Sequence, residues 1–407
     1  MISNYKTITL LRVLKSVIDL FIDTFFVMYF LNLSNNNIIP LAVFYLIVYA
    51  TVYITIFSVK NFCKRKKRVN LLRIGILLNF VYFLIIFLLR ENMVHFSWLI
   101  AIIYGLEEGF YYSVYNNFES SGIKNGERKK YLGIICVLKS ILSIIIPLIF
   151  GSVMSVQGFE KCLIIVLVLV AFQIILSFIY KDEIVNEQKR TDFKSFVDLV
   201  GKNEKIKTVY KMCMFNGIIY SGAFRSIIAI YIIRVFTDSF SYGIFTSVFA
   251  AITAIVGFYF AKLAKPKNYK KNLVISCILT ALGILIIMFK CNFVTIIIFN
   301  LLQSYSKTIV ELINSNALSD ISNMDEIKNK YKYKVEYFVG MESCLVVGRI
   351  TSYLLFLLMG IINTNLFNNI ILIIFTLLII VFTMCSINVQ RSLQEEKNEE
   401  NFSKWLW

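Results

Sequence analysis

Twelve stretches of this chain are each apolar over the ~20 residues an α-helix needs to cross the hydrocarbon core of a bilayer. They run approximately over 8–31, 38–59, 69–89, 96–118, 131–156, 162–180, 208–235, 241–263, 272–289, 293–318, 334–359 and 367–388. In hydrocarbon, backbone N–H and C=O groups must be satisfied within the segment itself, so such stretches fold as helices. The expected fold class is an all-α integral membrane protein with twelve transmembrane helices in two pseudo-symmetric six-helix bundles. Composition agrees: 58% of residues are hydrophobic and 16% charged, against about 25% charged in soluble domains. No small-residue cleavage site follows the first stretch, so it reads as a retained helix and not a signal peptide.

The connecting loops alternate in charge. One set carries Lys60, Lys64, Arg65, Lys66, Lys67 and Arg68, then Lys124, Arg128, Lys129 and Lys130, then the lysines between 181 and 207, then Lys265, Lys267, Lys270 and Lys271, then Lys328, Lys330, Lys332 and Lys334. The other set holds Arg90, Lys161 and Lys290 and little else. Positive loops stay inside, so the basic loops and both termini are expected in the cytoplasm of a multi-pass plasma-membrane protein of bacterial type. The net charge of +17 is thus topogenic. It lies against anionic lipid and not nucleic acid.

The longest internal loop divides the chain into an N-terminal bundle (1–180), a central cytoplasmic segment (181–207), a C-terminal bundle (208–388) and a polar tail (389–407). Within the central segment Phe193, Phe196, Val197 and Val200 recur at i, i+3, i+4 and i+7, the pattern of a short amphipathic helix on the inner membrane face. Sliding one half on the other by about 200 residues superposes several polar positions, Asp23 on Arg225 among them, as parallel repeats in transporters do.

Ionisable side chains inside the segments carry the functional argument. A charge at the centre of a membrane helix costs roughly 2.5–3.5 kcal/mol on insertion scales and survives where it faces water or a partner within a bundle. In segment one Arg12, Lys15, Asp19 and Asp23 are spaced by three, four and four, which places them on one helix face. Arg12 and Lys15 are close enough to the membrane surface to snorkel; Asp19 and Asp23 lie too deep. Segment four holds Glu107 and Glu108, five Lys139, seven Arg225, ten Lys307 and Glu311, and eleven Glu342 and Arg349. Segments two, six, eight, nine and twelve carry none near their centres.

Helices that carry charge are expected to line an aqueous cavity, with Asp19, Asp23, Glu107 and Glu108 as proton-coupling candidates. Arg225, Lys139, Arg349, Lys307, Glu311 and Glu342 are candidates for ion pairs or substrate contact. Tyr112, Asn116, Asn117 and Asn314 are hydrogen-bonding candidates. Asp23 with Arg225 is the expected gating or coupling pair, and Lys139 and Arg349 are possible partners for the glutamates. Lys307 and Glu311, at i and i+4, suit an intrahelical pair. Glu107 and Glu108 are adjacent, so one at most is expected to face the cavity.

Gly105 and Gly109 have the small-xxx-small spacing that lets membrane helices approach closely. Pro147 and Gly151 are expected to bend segment five. The eight cysteines form no C-x-x-C pair and read as free thiols. A single histidine, His95, argues against a histidine-based catalytic or metal site. The chain is therefore not expected to be an enzyme, a lipid-modifying membrane enzyme included, and no cofactor or metal is expected.

Length, twelve helices, a long central cytoplasmic loop and a basic loop between helices two and three together resemble the major facilitator superfamily over about 8–388. The stretch Ser58-Val59-Lys60-Asn61-Phe62-Cys63-Lys64-Arg65-Lys66-Lys67-Arg68 matches the basic run of that family's signature loop and lacks its glycines and aspartate. Ile146-Pro147-Leu148-Ile149-Phe150-Gly151 stands where proton-coupled exporters of the family carry a Gly-Pro-rich motif, and matches it poorly. An acid in helix one is similar to the protonation site of several family exporters, a place Asp19 or Asp23 would fill. In that fold helices one, four, seven and ten line the cavity with five and eleven beside them, the set charged here. The resemblance implies a secondary transporter working by alternating access on a small-molecule substrate, driven by a proton or other ion gradient, with export of an amphiphilic compound expected first. Import of a sugar, peptide or anion, or a transporter-like sensor without transport, are the alternatives.

Overall fold

A computed structural model describes residues 2–59, 68–121, 125–180, 193–263, 265–322 and 334–405. Every regular element among them is helical. In chain order they are α1 (Ile2–Phe21), a π-helical turn (Ile22–Phe26), α2 (Val27–Leu33), α3 (Ile38–Val59), α4 (Arg68–Leu89), α5 (Ser97–Ser121) and α6 (Asn125–Ile179). They continue as α7 (Phe193–Lys202), α8 (Glu204–Ile219), α9 (Ala223–Val235), α10 (Ser239–Leu263), α11 (Tyr269–Phe289), α12 (Phe293–Ser322), α13 (Lys334–Ile362) and α14 (Asn365–Trp405). Among the described residues nine helical runs are long and apolar enough to cross a membrane, one of them the 47-residue run Gly133–Ile179. The polar helices α1 and α5 are not among the nine, so the expected count of twelve crossings is not settled by length and hydropathy alone.

Contacts divide the chain into two compact units. The first comprises Met1–Arg190 with Ser226–Ala251 and Tyr353–Ile362. Its helix contacts are set by glycine. A Cβ on Gly105 would lie 2.6 Å from the Val48 carbonyl oxygen, and one on Gly109 2.5 Å from Thr55 Cβ. The small-xxx-small pair therefore presses α5 onto α3, as its spacing implies. On the other side of α5, a Cβ on Gly75 of α4 would meet the Tyr111 amide at 3.1 Å. α6 carries Pro147 in its interior and leaves helical dihedrals at Gly158, with φ 79° and ψ 174°, between the stretches expected as segments five and six. Only glycine adopts that backbone without strain. Gly151 has a different use, since a Cβ there would sit 2.8 Å from the Ser239 carbonyl oxygen.

The second unit comprises Thr191–Arg225, Ile252–Ser352 and Asn363–Trp407. Its α8 and α13 cross where Gly217 and Gly348 leave no room for a Cβ against Leu345 and Met214. The segment expected as one helix over 208–235 is broken at Tyr220–Gly222. Ser352 of α13 bridges the break: its Oγ accepts from the Ala223 amide at 2.8 Å and donates to the Ile218 carbonyl at 2.8 Å. Freed backbone groups of a broken membrane helix need such partners. Arg349 lies at the same break, its Nε donating to Ser221 Oγ at 3.3 Å. The short α7 covers the expected amphipathic stretch, with Phe196 buried and Val197 exposed. Back in the first unit, at the start of α10, the Asp238 carboxylate accepts the Ser241 N–H at 2.7 Å, and this hydrogen bond holds its carboxyl below the usual range.

Candidate functional site

The first unit buries one ammonium among three carboxylates. Lys15 Nζ lies 2.8 and 3.0 Å from the two carboxylate oxygens of Glu107, 2.9 Å from Glu108 Oε1 and 3.0 Å from Asp19 Oδ1. Lys15 and Glu107 are fully buried, while the Glu108 and Asp19 side chains keep 21% and 25% of their surface. Two elements build the cluster. On α1, Lys15 and Asp19 stand one turn apart and share a face. On α5, Glu107 and Glu108 fall between the two glycines that press that helix onto α3.

Tyrosines surround the charges. Tyr112 donates its hydroxyl to Asp19 Oδ2 at 2.9 Å. The Tyr111 ring lies 5.5 Å from Lys15 Nζ. One turn toward the N-terminus of α1, the Arg12 guanidinium rests over Tyr115 at 4.1 Å and Tyr112 at 5.2 Å, a cation–π arrangement. The Tyr115 and Tyr131 hydroxyls are 2.6 Å apart. The Leu11 carbonyl accepts from Gln173 Nε2 at 3.1 Å, tying α1 to α6. Asp23 sits in the π-helical turn, a local underwinding that is frequent at functional sites.

Two sequence expectations change here. Lys15 does not snorkel; three carboxylates hold it inside. Glu107 and Glu108 do converge, although adjacent helical positions point about 100° apart. Both side chains are long enough for their carboxylates to meet at an ammonium placed between the two directions. Of the remaining candidates, Arg225, Lys139, Lys307 and Glu311 are exposed and Arg349 and Glu342 half-buried. Asn314 is buried, with Nδ2 donating to Ser386 Oγ at 3.1 Å, which gives it a structural use. The side chains of Asn116 and Asn117 lie outside the described residues.

Sequence reasoning missed Asn79 and Tyr82 of α4. Asn79 is 1% and Tyr82 0% exposed. Neither the Asn79 amide atoms nor the Tyr82 hydroxyl has a hydrogen-bond partner among the described residues. A signal was present: Asn79 is a lone amide in an otherwise apolar run.

No protein-family model matches the chain. Over 337 residues it is 23% identical to the uncharacterized protein YqgE of Bacillus subtilis (strain 168), covering 82% of this chain and 77% of that protein. A bacterial homologue of the iron transporter ferroportin, in its inward-facing state, superposes with a TM-score of 0.66 at 10% identity, covering 96% of this chain and 99% of its own. The human organic anion transporter MFSD10 (TETRAN) also gives 0.66, at 12% identity over 94% and 99%. The fold is that of major facilitator transporters. These structural neighbours are membrane transporters, not enzymes.

Proposed function

We propose that the chain is a secondary active transporter of the plasma membrane, moving a small molecule outward by alternating access in exchange for protons. The observation that carries this reading is the excess of carboxylates over cations in a buried cluster. Asp19, Glu107 and Glu108, if all ionised, bring three negative charges against the single Lys15. Arg12 on its tyrosine rings still leaves one charge uncompensated. Uncompensated charge away from water costs several kcal/mol, and a proton on one carboxylate removes it. A substrate that needs those carboxylates ionised then competes with the proton. Such competition is a reciprocal coupling free energy, and it is what an exchanger requires.

The π turn at Asp23 and the break between α8 and α9 at Arg349 are the irregular backbone sites on which alternating access would act. Asp23 with Arg225 remains the proposed gating pair, with Lys139, Lys307, Glu311 and Glu342 as further ion-pair candidates. One structural neighbour is a bacterial homologue of an iron transporter and the other an organic anion transporter. The organic anions named for the other suit a carboxylate-rich site poorly.

The test is proton movement in proteoliposomes across cationic amphiphiles, sugars, peptides and anions. Substrate-dependent flux in the wild type, lost in Asp19→Asn and in Glu107→Gln, is the expected result. Flux that persists in both variants would move coupling away from this cluster. A folded wild type that moves nothing would overturn transport and leave the sensor reading.

A further inference from the structure

We propose that the group this cluster receives is an organic cation, a protonated amine, which takes the place of the Lys15 ammonium between Asp19, Glu107 and Glu108. The inference rests on the transporter reading and supplies its substrate class.

Lys15 is itself a primary alkylammonium seated in the site, and its contacts of 2.8–3.0 Å to four carboxylate oxygens show that an ammonium head group fits. It is also a tethered occupant. A lysine stem is long and flexible, so the head can leave the carboxylates along its stem. Once it leaves, the three carboxylates need a cation or protons. A neutral sugar or an anion supplies neither.

The second observation comes from α4, which packs antiparallel on α5. Gly75 meets the Tyr111 amide, and the Tyr82 ring stacks on Tyr104 with centroids 4.9 Å apart. Asn79 lies between Gly75 and Tyr82 on that same face, as Glu107 and Glu108 lie between Tyr111 and Tyr104. The register therefore sets the Asn79 amide at the level of the two glutamates. Its atoms and the Tyr82 hydroxyl, unpartnered among the described residues, add buried hydrogen-bonding capacity. Buried polar groups are almost always paired, and a ligand is one source of the missing partner. A primary ammonium has three N–H donors: the carboxylates take two, and the Asn79 carbonyl oxygen takes the third. The Tyr111 ring, 5.5 Å from Lys15 Nζ, gives the incoming cation an aromatic surface that favours it.

The full-length protein in detergent would be titrated with 2-phenylethylammonium, 2-phenylethanol and 3-phenylpropionate, followed by calorimetry and by the shift in thermal unfolding midpoint. The amine alone should bind and stabilise. Glu108→Gln and Asn79→Leu should each weaken it about tenfold. Lys15→Met should tighten it by about tenfold or more, because the tethered competitor is gone. Binding of the alcohol as strong as that of the amine would overturn the proposal in the wild type, without any variant. So would unchanged or weaker amine binding in folded Lys15→Met. Amine binding without proton flux in liposomes would remove the transporter reading and keep the site. Flux driven only by sugars, peptides or anions, with no amine binding, would do the reverse.

Discussion

A buried ammonium with three carboxylates is held by balance, and the balance can be broken one residue at a time. Lys15→Met leaves Asp19, Glu107 and Glu108 facing one another without their cation. Removing one partner of a buried ion pair costs about 3–5 kcal/mol, so unfolding in detergent should occur at markedly lower denaturant or temperature. Adding Glu107→Gln to that background should recover part of the loss, which a double-mutant cycle would read. Asn79 makes the opposite prediction. Its amide is buried without a partner among the described residues, and an unmade hydrogen bond costs about 1–3 kcal/mol. Asn79→Leu should therefore raise the stability of the ligand-free protein while weakening ligand binding. A fall in stability would mean that the amide has a structural partner.

At the scale of helices, glycine and serine do what bulk apolarity cannot. Leucine at Gly109 would drive into Thr55, so Gly109→Leu should separate α5 from α3. A cost of about 1–3 kcal/mol is ordinary for overpacking, and size-exclusion profiles with thermal melts would show it. Ser352→Ala leaves the Ala223 amide and the Ile218 carbonyl at the helix break without their side-chain partner. It should destabilise the second unit by about 1–3 kcal/mol, with faster local hydrogen exchange at 218–223. The Asp238 cap has a pH sign of its own. Its folded carboxyl lies below the ordinary range, so its stabilisation is present above the unfolded pKa and is lost as pH falls through the folded one. Asp238→Asn should flatten that acid-side dependence in a pH series of melts.

Across the whole molecule, orientation is the property most directly open to test. Cys291 is exposed on a loop expected outside, and Cys63 falls in the basic loop expected inside. An impermeant maleimide on intact cells should label Cys291, and should reach Cys63 only after permeabilisation. The reverse pattern would invert the topology and the direction of export with it. Much of this level was legible in the chain. The helical class followed from apolar runs that hydrocarbon permits only as helices, and the close approach of α5 followed from the spacing of Gly105 and Gly109. The broken helix after Gly217 was not legible, because Ser352, which makes the break tolerable, lies 130 residues away in sequence.

The candidate site divides along the same line. Sequence alone determined that Asp19, Glu107 and Glu108 are anomalous, because a carboxylate deep in an apolar segment costs kilocalories unless something compensates it. It also placed Lys15 and Asp19 on one face, since helical periodicity is local. Only the tertiary structure decided that Lys15 is the compensation and that Glu107 and Glu108 meet at one ammonium. It alone buried Asn79 with no hydrogen-bond partner among the described residues. Those facts depend on which helices pack together and in what register. That is fixed by glycine contacts and side-chain reach between segments some ninety residues apart, and no local pattern encodes it.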